Sequence, residues 1–280
     1  MNIVNYVKIA WFGKHFGEEP PLVGKKGAGT IFFSGCNLRC VYCQNYQISQ
    51  QNIGKKYSIQ ELADIMLKLQ NQDALNIDLV TPTIWANQIK QAILRAKKQG
   101  LSVPIIWNSN AYEEVKMIRT MHGLIDIYLP DFKYGNNDLA LKYSNAENYV
   151  QKAKESIREM LNQVGNLKLL KDKTAKKGLI IRHLVLPNNI ENSLKVLEHI
   201  KEIDKDIYIN LMSQYEPVYK AKKFPEINKN IKKKEFEKIF NYALKLGLKN
   251  GWVQGIKNQP MSLPDFTKEN PFSNSDFLVE

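Results

Sequence analysis

Residues 29–45 read Gly29-Thr-Ile-Phe-Phe-Ser-Gly-Cys36-Asn-Leu-Arg-Cys40-Val-Tyr-Cys43-Gln-Asn45. The β-branched and aromatic run Thr30 to Phe33 reads as a buried strand, and the loop after it carries three cysteines at C-x3-C-x2-C spacing. These are the only cysteines in 280 residues. An odd number confined to eight positions is no disulfide framework; it reads as a ligand set. Soft thiolates select zinc, Cu(I) or an iron–sulfur cluster. A [4Fe–4S] cluster normally takes four cysteines, so Cys36, Cys40 and Cys43 would leave one iron for another ligand, as an open position does at a catalytic metal. Two alternatives stand beside it. A zinc site would need one of the histidines at 15, 122, 183 or 199, none on this loop, and three unrelated buried cysteines would need no metal at all.

Outward from this strand, short apolar runs alternate with segments of helical period, the pattern of repeated βα units and a parallel sheet. Six runs qualify: Thr30 to Phe33, Ile77 to Val80, Val103 to Trp107, Ile125 to Leu129, Leu179 to Leu186 and Ile207 to Leu211. Helices are expected at Ser58 to Gln70, Trp85 to Gln99, Tyr112 to Met121, Asn136 to Val164, Ile190 to Ile203 and Lys232 to Leu246. Ser58 and Glu61 form a capping box at the first of them. One large α/β unit over 29–250 accounts for the length, since α/β barrels reach this size as single domains. Residues 1–28 contain the irregular FGEEPPLVGKKGAG and read as an arm against the barrel. Residues 251–280 read as a polar tail docked through Trp252, Val253, Ile256, Phe266 and Phe272.

With 44% hydrophobic and 24% charged residues the chain has the composition of a soluble globular protein that needs no metal staple. No apolar run approaches the roughly 18 residues of a membrane span, and the N-terminus lacks a signal-peptide pattern; a cytoplasmic location and no membrane partner are expected. The formal charge of +12 raises nucleic acid as a partner. Only five of the 40 basic residues are Arg, however, and the lysines lie scattered along expected helices, so a solvated Lys-rich surface is favoured.

The C-x3-C-x-Φ-C motif with its aromatic at Tyr42, directly after the first strand of six βα units, resembles the radical S-adenosylmethionine (SAM) superfamily. The resemblance implies a partial (β/α)6 TIM-like barrel with a [4Fe–4S] cluster at its C-terminal rim and SAM on the unique iron. It implies reductive cleavage of SAM to a 5′-deoxyadenosyl radical that abstracts hydrogen from a substrate, with an electron donor such as flavodoxin or ferredoxin. FGEEPPLVG, LVTPT, WNSNAY, LPDFKY, RHLVLP and NLMSQYEP, over roughly 16–217, are similar to the branch related to pyruvate formate-lyase activating enzyme. In glycyl-radical activating enzymes the substrate is a glycine of a large partner protein.

The resemblance also implies roles at strand ends. Where activating enzymes carry Gly-Gly-Glu for the SAM amino group, this chain has Leu79-Val-Thr81-Pro-Thr83; Thr81 and Thr83 offer hydroxyls there. Asn108 stands where the family binds the SAM ribose, and Asn110 is as well read as a cap. Lys133 would neutralise the SAM carboxylate while Asp131 orients SAM or substrate. Arg182 would bind a carboxylate from inside the barrel; His183, pointing to the opposite face, reads as structural. Gln214, with Asn210, Ser213 and Tyr215, lies on the approach to the site. His15, Glu18 and Glu19 either cover the site or, the favoured reading, belong to a solvated loop.

Two function classes follow. One is a radical-generating oxidoreductase acting on a glycyl-radical enzyme, an RNA or a small molecule; the other is a non-catalytic metal-containing nucleic-acid-binding protein.

Overall fold

All six apolar runs form strands, in the order expected. The computed structural model describes residues 5–254 and 263–272. The elements are β1 (Tyr6–His15), α1 (Pro20–Val23), β2 (Ala28–Phe33), α2 (Tyr46–Ser49), β3 (Lys55–Ser58), α3 (Ile59–Asn71), β4 (Ile77–Val80), α4 (Ala86–Lys98), β5 (Ile105–Ser109) and α5 (Val115–Thr120). They continue with β6 (Ile127–Pro130), α6 (Asn137–Ser144), α7 (Tyr149–Val164), β7 (Lys168–Leu169), β8 (Ala175–Leu184), α8 (Ile190–Ile203), β9 (Tyr208–Met212), α9 (Lys233–Lys245) and β10 (Gly251–Gln254). The sheet runs β10-β9-β8-β6-β5-β4-β2-β1-β3 and is parallel from β2 to β10. It does not close, which makes the fold a partial TIM-like barrel.

Alternation along each parallel strand divides the molecule in two. Ile31, Leu79, Trp107, Tyr128 and Ile181 face outward into the core shared with Leu62 and Met66 of α3, Ile89 and Ile93 of α4 and Val196 of α8. Ile106, Ile127, Leu129 and Ile180 face inward and close on Leu22 of α1. Leu22 is fully buried, which by itself stabilises by about 1.5–3 kcal/mol. The start of α3 shows the capping box: Glu61 N–H donates to Ser58 Oγ at 3.2 Å and Ser58 N–H donates to Glu61 Oε2 at 2.6 Å.

Three features depart from expectation. Residues 6–15 form a full antiparallel strand between β2 and β3; Val7 and Ile9, 0% and 2% exposed, give it the period of two that a half-buried strand needs. Residues 251–254 add a seventh parallel strand beside β9, while Ile256 lies outside the described residues. The single helix expected over 136–164 is two helices, broken where Asn145 (φ 50°) and Asn148 (φ 54°) take the left-handed conformation that asparagine tolerates better than most residues. Among the described residues no helix is long and apolar enough to cross a membrane.

Candidate functional site

A cavity of about 360 Å³ opens at the C-terminal ends of the parallel strands. Strand geometry selects its lining. Residues two apart share a face, so β8 presents Arg182 and Leu184 to the interior and sends His183 outward. His183 is fully buried there, its Nδ1 paired with Phe132 O at 2.7 Å and its Nε2 with Ser193 Oγ at 2.8 Å. Burial lowers its pKa to about 4, so it is a neutral packing residue. The cavity wall further includes Phe32 of β2, Val80 of β4, Asn108 of β5, Asp131 and Lys133 beyond β6, and Met212 and Gln214 at and beyond β9.

Arg182 organises the polar side. Its Nε donates to Asp131 Oδ1 at 2.8 Å, its Nη1 to Glu18 Oε2 at 2.9 Å and its Nη2 to Asn108 Oδ1 at 2.6 Å. Lys133 Nζ donates to the other Asp131 oxygen at 2.7 Å. Burial opposes the charge on Asp131, but Lys133 and Arg182 outweigh it and hold the carboxyl below its usual range. Beneath Arg182 the balance reverses: burial pushes the carboxyls of Glu18, Glu19 and Asp78 upward, and each is raised further by a carboxylate beside it. Asn210 Nδ2 donates to Glu19 Oε1 at 2.7 Å and Asn108 Nδ2 approaches Asp78 Oδ2 at 3.5 Å, so this acidic layer is built into the barrel. Glu19 is 2% exposed. The solvated-loop expectation for His15, Glu18 and Glu19 is therefore corrected: His15 ends β1 and lines the cavity, and residues 18–22 enter the barrel, drawn in by the Arg182 ion pair and the apolar burial of Leu22.

The cysteine loop forms the other wall. Gly35 makes the turn into it with φ 86°, and a Cβ there would meet Ile84 Cδ1 at 2.6 Å. Cys40 and Cys43 line the cavity, whereas Cys36 faces a separate depression between Arg39, Ile84 and Trp85. All three thiols are free. Burial raises Cys36 to about 11 and Cys43 to about 12, with Cys40 close enough to add to both, and Cys40 itself is raised by burial. Lys133 opposes these shifts from across the cavity. Among the described residues no three Cys, His, Asp or Glu side chains converge on the position of a single ion. The three sulfurs lie close enough together for Cys40 to raise Cys36 and for both to raise Cys43, with the Lys133 cation beside them, and soft thiolates are donors that an iron–sulfur cluster takes. The donor set and the adjoining cavity thus fit a [4Fe–4S] cluster with a small ligand next to it.

Of the residues marked from sequence, Tyr42, Asn108, Asp131, Lys133, Arg182 and Gln214 line the cavity beside Cys40 and Cys43. Thr81 and Thr83 do not. Thr83 Oγ1 donates to Glu113 Oε1 at 2.8 Å, and Thr81 sits at φ 59° with its N–H on Asn108 O at 2.9 Å. Asn110 makes a turn rather than a helix cap: its Oδ1 accepts from Tyr112 N–H at 2.9 Å while α5 begins only at Val115 after Glu114, and its Nδ2 turns to the cysteine loop. Tyr215 donates to Ile227 O and is structural. Sequence reasoning missed Asp78, although a carboxylate inside the apolar run Ile77 to Val80 was a visible signal. It missed Glu113, Tyr134 and Ser144, whose partners lie up to 104 residues away.

Comparison with known proteins agrees with this geometry. Residues 30–166 match the sequence model of the Radical SAM superfamily. An uncharacterized protein of Methanocaldococcus jannaschii is 35% identical over 244 residues, 84% of this chain and 66% of that one. A second protein of that archaeon, provisionally named a glycyl-radical enzyme activating enzyme, is 24% identical over 195 residues, 69% of this chain and 75% of the relative. Among solved structures, Streptococcus suis SuiB bound to S-adenosylmethionine superposes with a TM-score of 0.54 at 12% identity, covering 79% of this chain and 48% of SuiB. The FeFe-hydrogenase maturase HydG of Carboxydothermus hydrogenoformans does so with the same TM-score and identity, covering 78% of this chain and 50% of HydG. The chain thus spans about half the length of these structures and 66% of the first relative.

Proposed function

Because the chain belongs to the Radical SAM superfamily, we propose that it is an enzyme whose Cys36, Cys40 and Cys43 hold a [4Fe–4S] cluster and whose cavity binds SAM. The observation that carries this reading is the presence of Cys40 and Cys43 in the same cavity wall as Lys133, Asp131, Arg182 and Asn108. When bound, the cluster supplies one electron that divides SAM into methionine and a hydrogen-abstracting 5′-deoxyadenosyl group. The chain's own residues do the rest. Lys133 supplies a cation to a carboxylate of the ligand, and Asn108, whose oxygen is taken by Arg182, keeps an amide donor at the strand end. Arg182, expected as a carboxylate-binding cation inside the barrel, holds the chain's own carboxylates Glu18 and Asp131 together with Asn108 and so shapes the cavity floor, which leaves the ligand's carboxylate to Lys133. Phe32, Val80, Leu184 and Met212 supply apolar walls that exclude water.

The relative named for glycyl-radical enzyme activation favours a glycine in a partner protein as substrate; a flavodoxin or ferredoxin is the electron source we propose beside it. The test is anaerobic reconstitution. About four irons per chain and reductant-dependent formation of 5′-deoxyadenosine and methionine are expected, and Cys36→Ala, Cys40→Ala and Cys43→Ala should each abolish the latter. A fully loaded, reduced protein that leaves SAM intact sinks the proposal.

A further inference from the structure

Each thiol of the loop meets a side chain that can donate a hydrogen bond to it, and Cys36 Sγ also approaches Asn37 Oδ1 at 3.8 Å. Asn110 Nδ2 lies 3.5 Å from Cys36 Sγ, Ser144 Oγ 2.9 Å from Cys40 Sγ, and Ser49 Oγ 3.2 Å from Cys43 Sγ. Ser144 is held most firmly. It is the last residue of α6, and the backbone beside it is laced to the cysteine loop: Arg39 N–H donates to Ser144 O at 2.9 Å and Val41 N–H donates to Tyr143 O at 2.8 Å. The left-handed Asn145 ends α6 at that point and so fixes where the Ser144 hydroxyl meets Cys40.

Behind Ser144 the contact extends. Tyr134 Oη is 2.6 Å from Ser144 Oγ, and Tyr42 Oη is 2.7 Å from Tyr134 Oη. Ser144 and Tyr134 are fully buried and Tyr42 is 5% exposed. A thiolate on iron carries no proton, and each hydroxyl has only one to give. Once Cys40 is ligated the order is therefore forced: Tyr42 donates to Tyr134, Tyr134 to Ser144, and Ser144 to the sulfur. In a dry interior each bond of such a chain polarises the next. Hydrogen bonds to cluster sulfurs are among the factors that set the potential of an iron–sulfur centre.

From this we infer that Ser144, Tyr134 and Tyr42 form a one-directional hydrogen-bond chain that raises the reduction potential of the cluster through Cys40. The inference rests on the reading that the three thiols hold that cluster. Reduction adds one electron, and a donor aimed at Cys40 stabilises the added negative charge, so losing the donor makes the cluster harder to reduce. The chain also gives Tyr42 a role beyond its ring, since Tyr42→Phe keeps the aromatic and removes only the first donor.

The deciding measurement is a potentiometric titration of the reconstituted protein without SAM, followed by the electron paramagnetic resonance signal of the reduced cluster. Ser144→Ala should lower the reduced-to-oxidised ratio at the natural protein's midpoint about tenfold, a shift of about 59 mV for one electron. Tyr134→Phe should shift it less in the same direction and Tyr42→Phe least, a gradation that a packing defect would not produce. Coincident midpoints in all four proteins at equal iron content overturn the inference and leave the cluster reading standing. A natural chain that takes up far fewer than about four irons overturns both. If Ser144→Ala fails to load, Tyr134→Phe decides: a more negative midpoint supports the chain, an unchanged one overturns it.

Discussion

Thr81 occupies the left-handed region at φ 59°, where a β-branched side chain is a genuine outlier. It stands just beyond β4, in the stretch where the resembling activating enzymes have glycines. Its N–H is anchored on Asn108 O, so the loop keeps the turn although the residue does not favour it. Left-handed backbone costs an L-residue roughly 1–2 kcal/mol, partly offset in glycine by the entropy of its unfolded chain. Thr81→Gly should accordingly raise stability by up to about 1 kcal/mol in urea unfolding, and a loss of that size would show that the Thr81 side chain contributes more than its backbone costs. At this scale the sequence is informative where the chemistry is local. Three cysteines within one loop could be read together, and a polar residue ending an apolar strand, as Asn108, Asp131 and Lys133 do, marks the rim of a parallel sheet. Thr83 could not be placed, because its partner Glu113 is 30 residues away. Glu18 and Glu19 looked like solvated loop residues because nothing adjacent to them announces Arg182.

Elements were legible when their residues declared their own environment. The six parallel strands are runs of Val, Ile, Leu and aromatics buried on both faces, and α8 appears over the residues expected. By contrast β10 is four residues, Gly251-Trp-Val-Gln254, and its pairing with β9 is backbone bonding that composition does not reveal. The α6–α7 break lacks Gly or Pro; two asparagines make it. Glu113 shows how such elements are tied together. It is 3% exposed, and its two oxygens accept from Thr83 Oγ1 at 2.8 Å, Trp107 Nε1 at 2.9 Å and Ser109 Oγ at 2.6 Å. The turn after β4 is thereby joined to β5. Burial raises the Glu113 pKa while those three donors oppose the rise. Glu113→Ala would strand two buried donors, Trp107 Nε1 and Ser109 Oγ, and should cost about 3 kcal/mol. Glu113→Gln keeps one acceptor oxygen and should cost clearly less. Chemical denaturation of both variants measures the difference, and equal losses would mean that packing rather than hydrogen bonding fixes this junction.

Across the whole molecule, the arm and the barrel are joined by charge. Glu18 from the arm and Asp131 from the β6 end pair with Arg182 directly, while Glu19 and Asp78 lie close enough to feel its field. Four carboxylates thus surround one guanidinium, with Lys133 engaged only by Asp131 among the described ion pairs. Among the described residues Glu19 Oε2 and Asp78 Oδ1 meet no hydrogen-bond partner, so this layer is held against its own repulsion and the burial of its charges. Removing one partner from a buried ion pair typically costs about 3–5 kcal/mol, and Arg182→Met, which keeps much of the length without the charge, should lose at least that at neutral pH. The pH dependence identifies the cause. Glu18, Glu19 and Asp78 have folded pKa values above their unfolded ones, so the stability they contribute is present at low pH and is lost as pH rises through the folded values. Arg182 restrains that rise, and without it the folded values move higher still. The deficit of Arg182→Met relative to the natural protein should therefore be largest in mildly alkaline solution and shrink steadily as the pH is lowered towards the ordinary carboxylate range. Denaturation of the two proteins in parallel across that interval tests it. A deficit independent of pH would show that Arg182 acts by shape alone and that the carboxyls beneath it are not what draws the arm into the barrel.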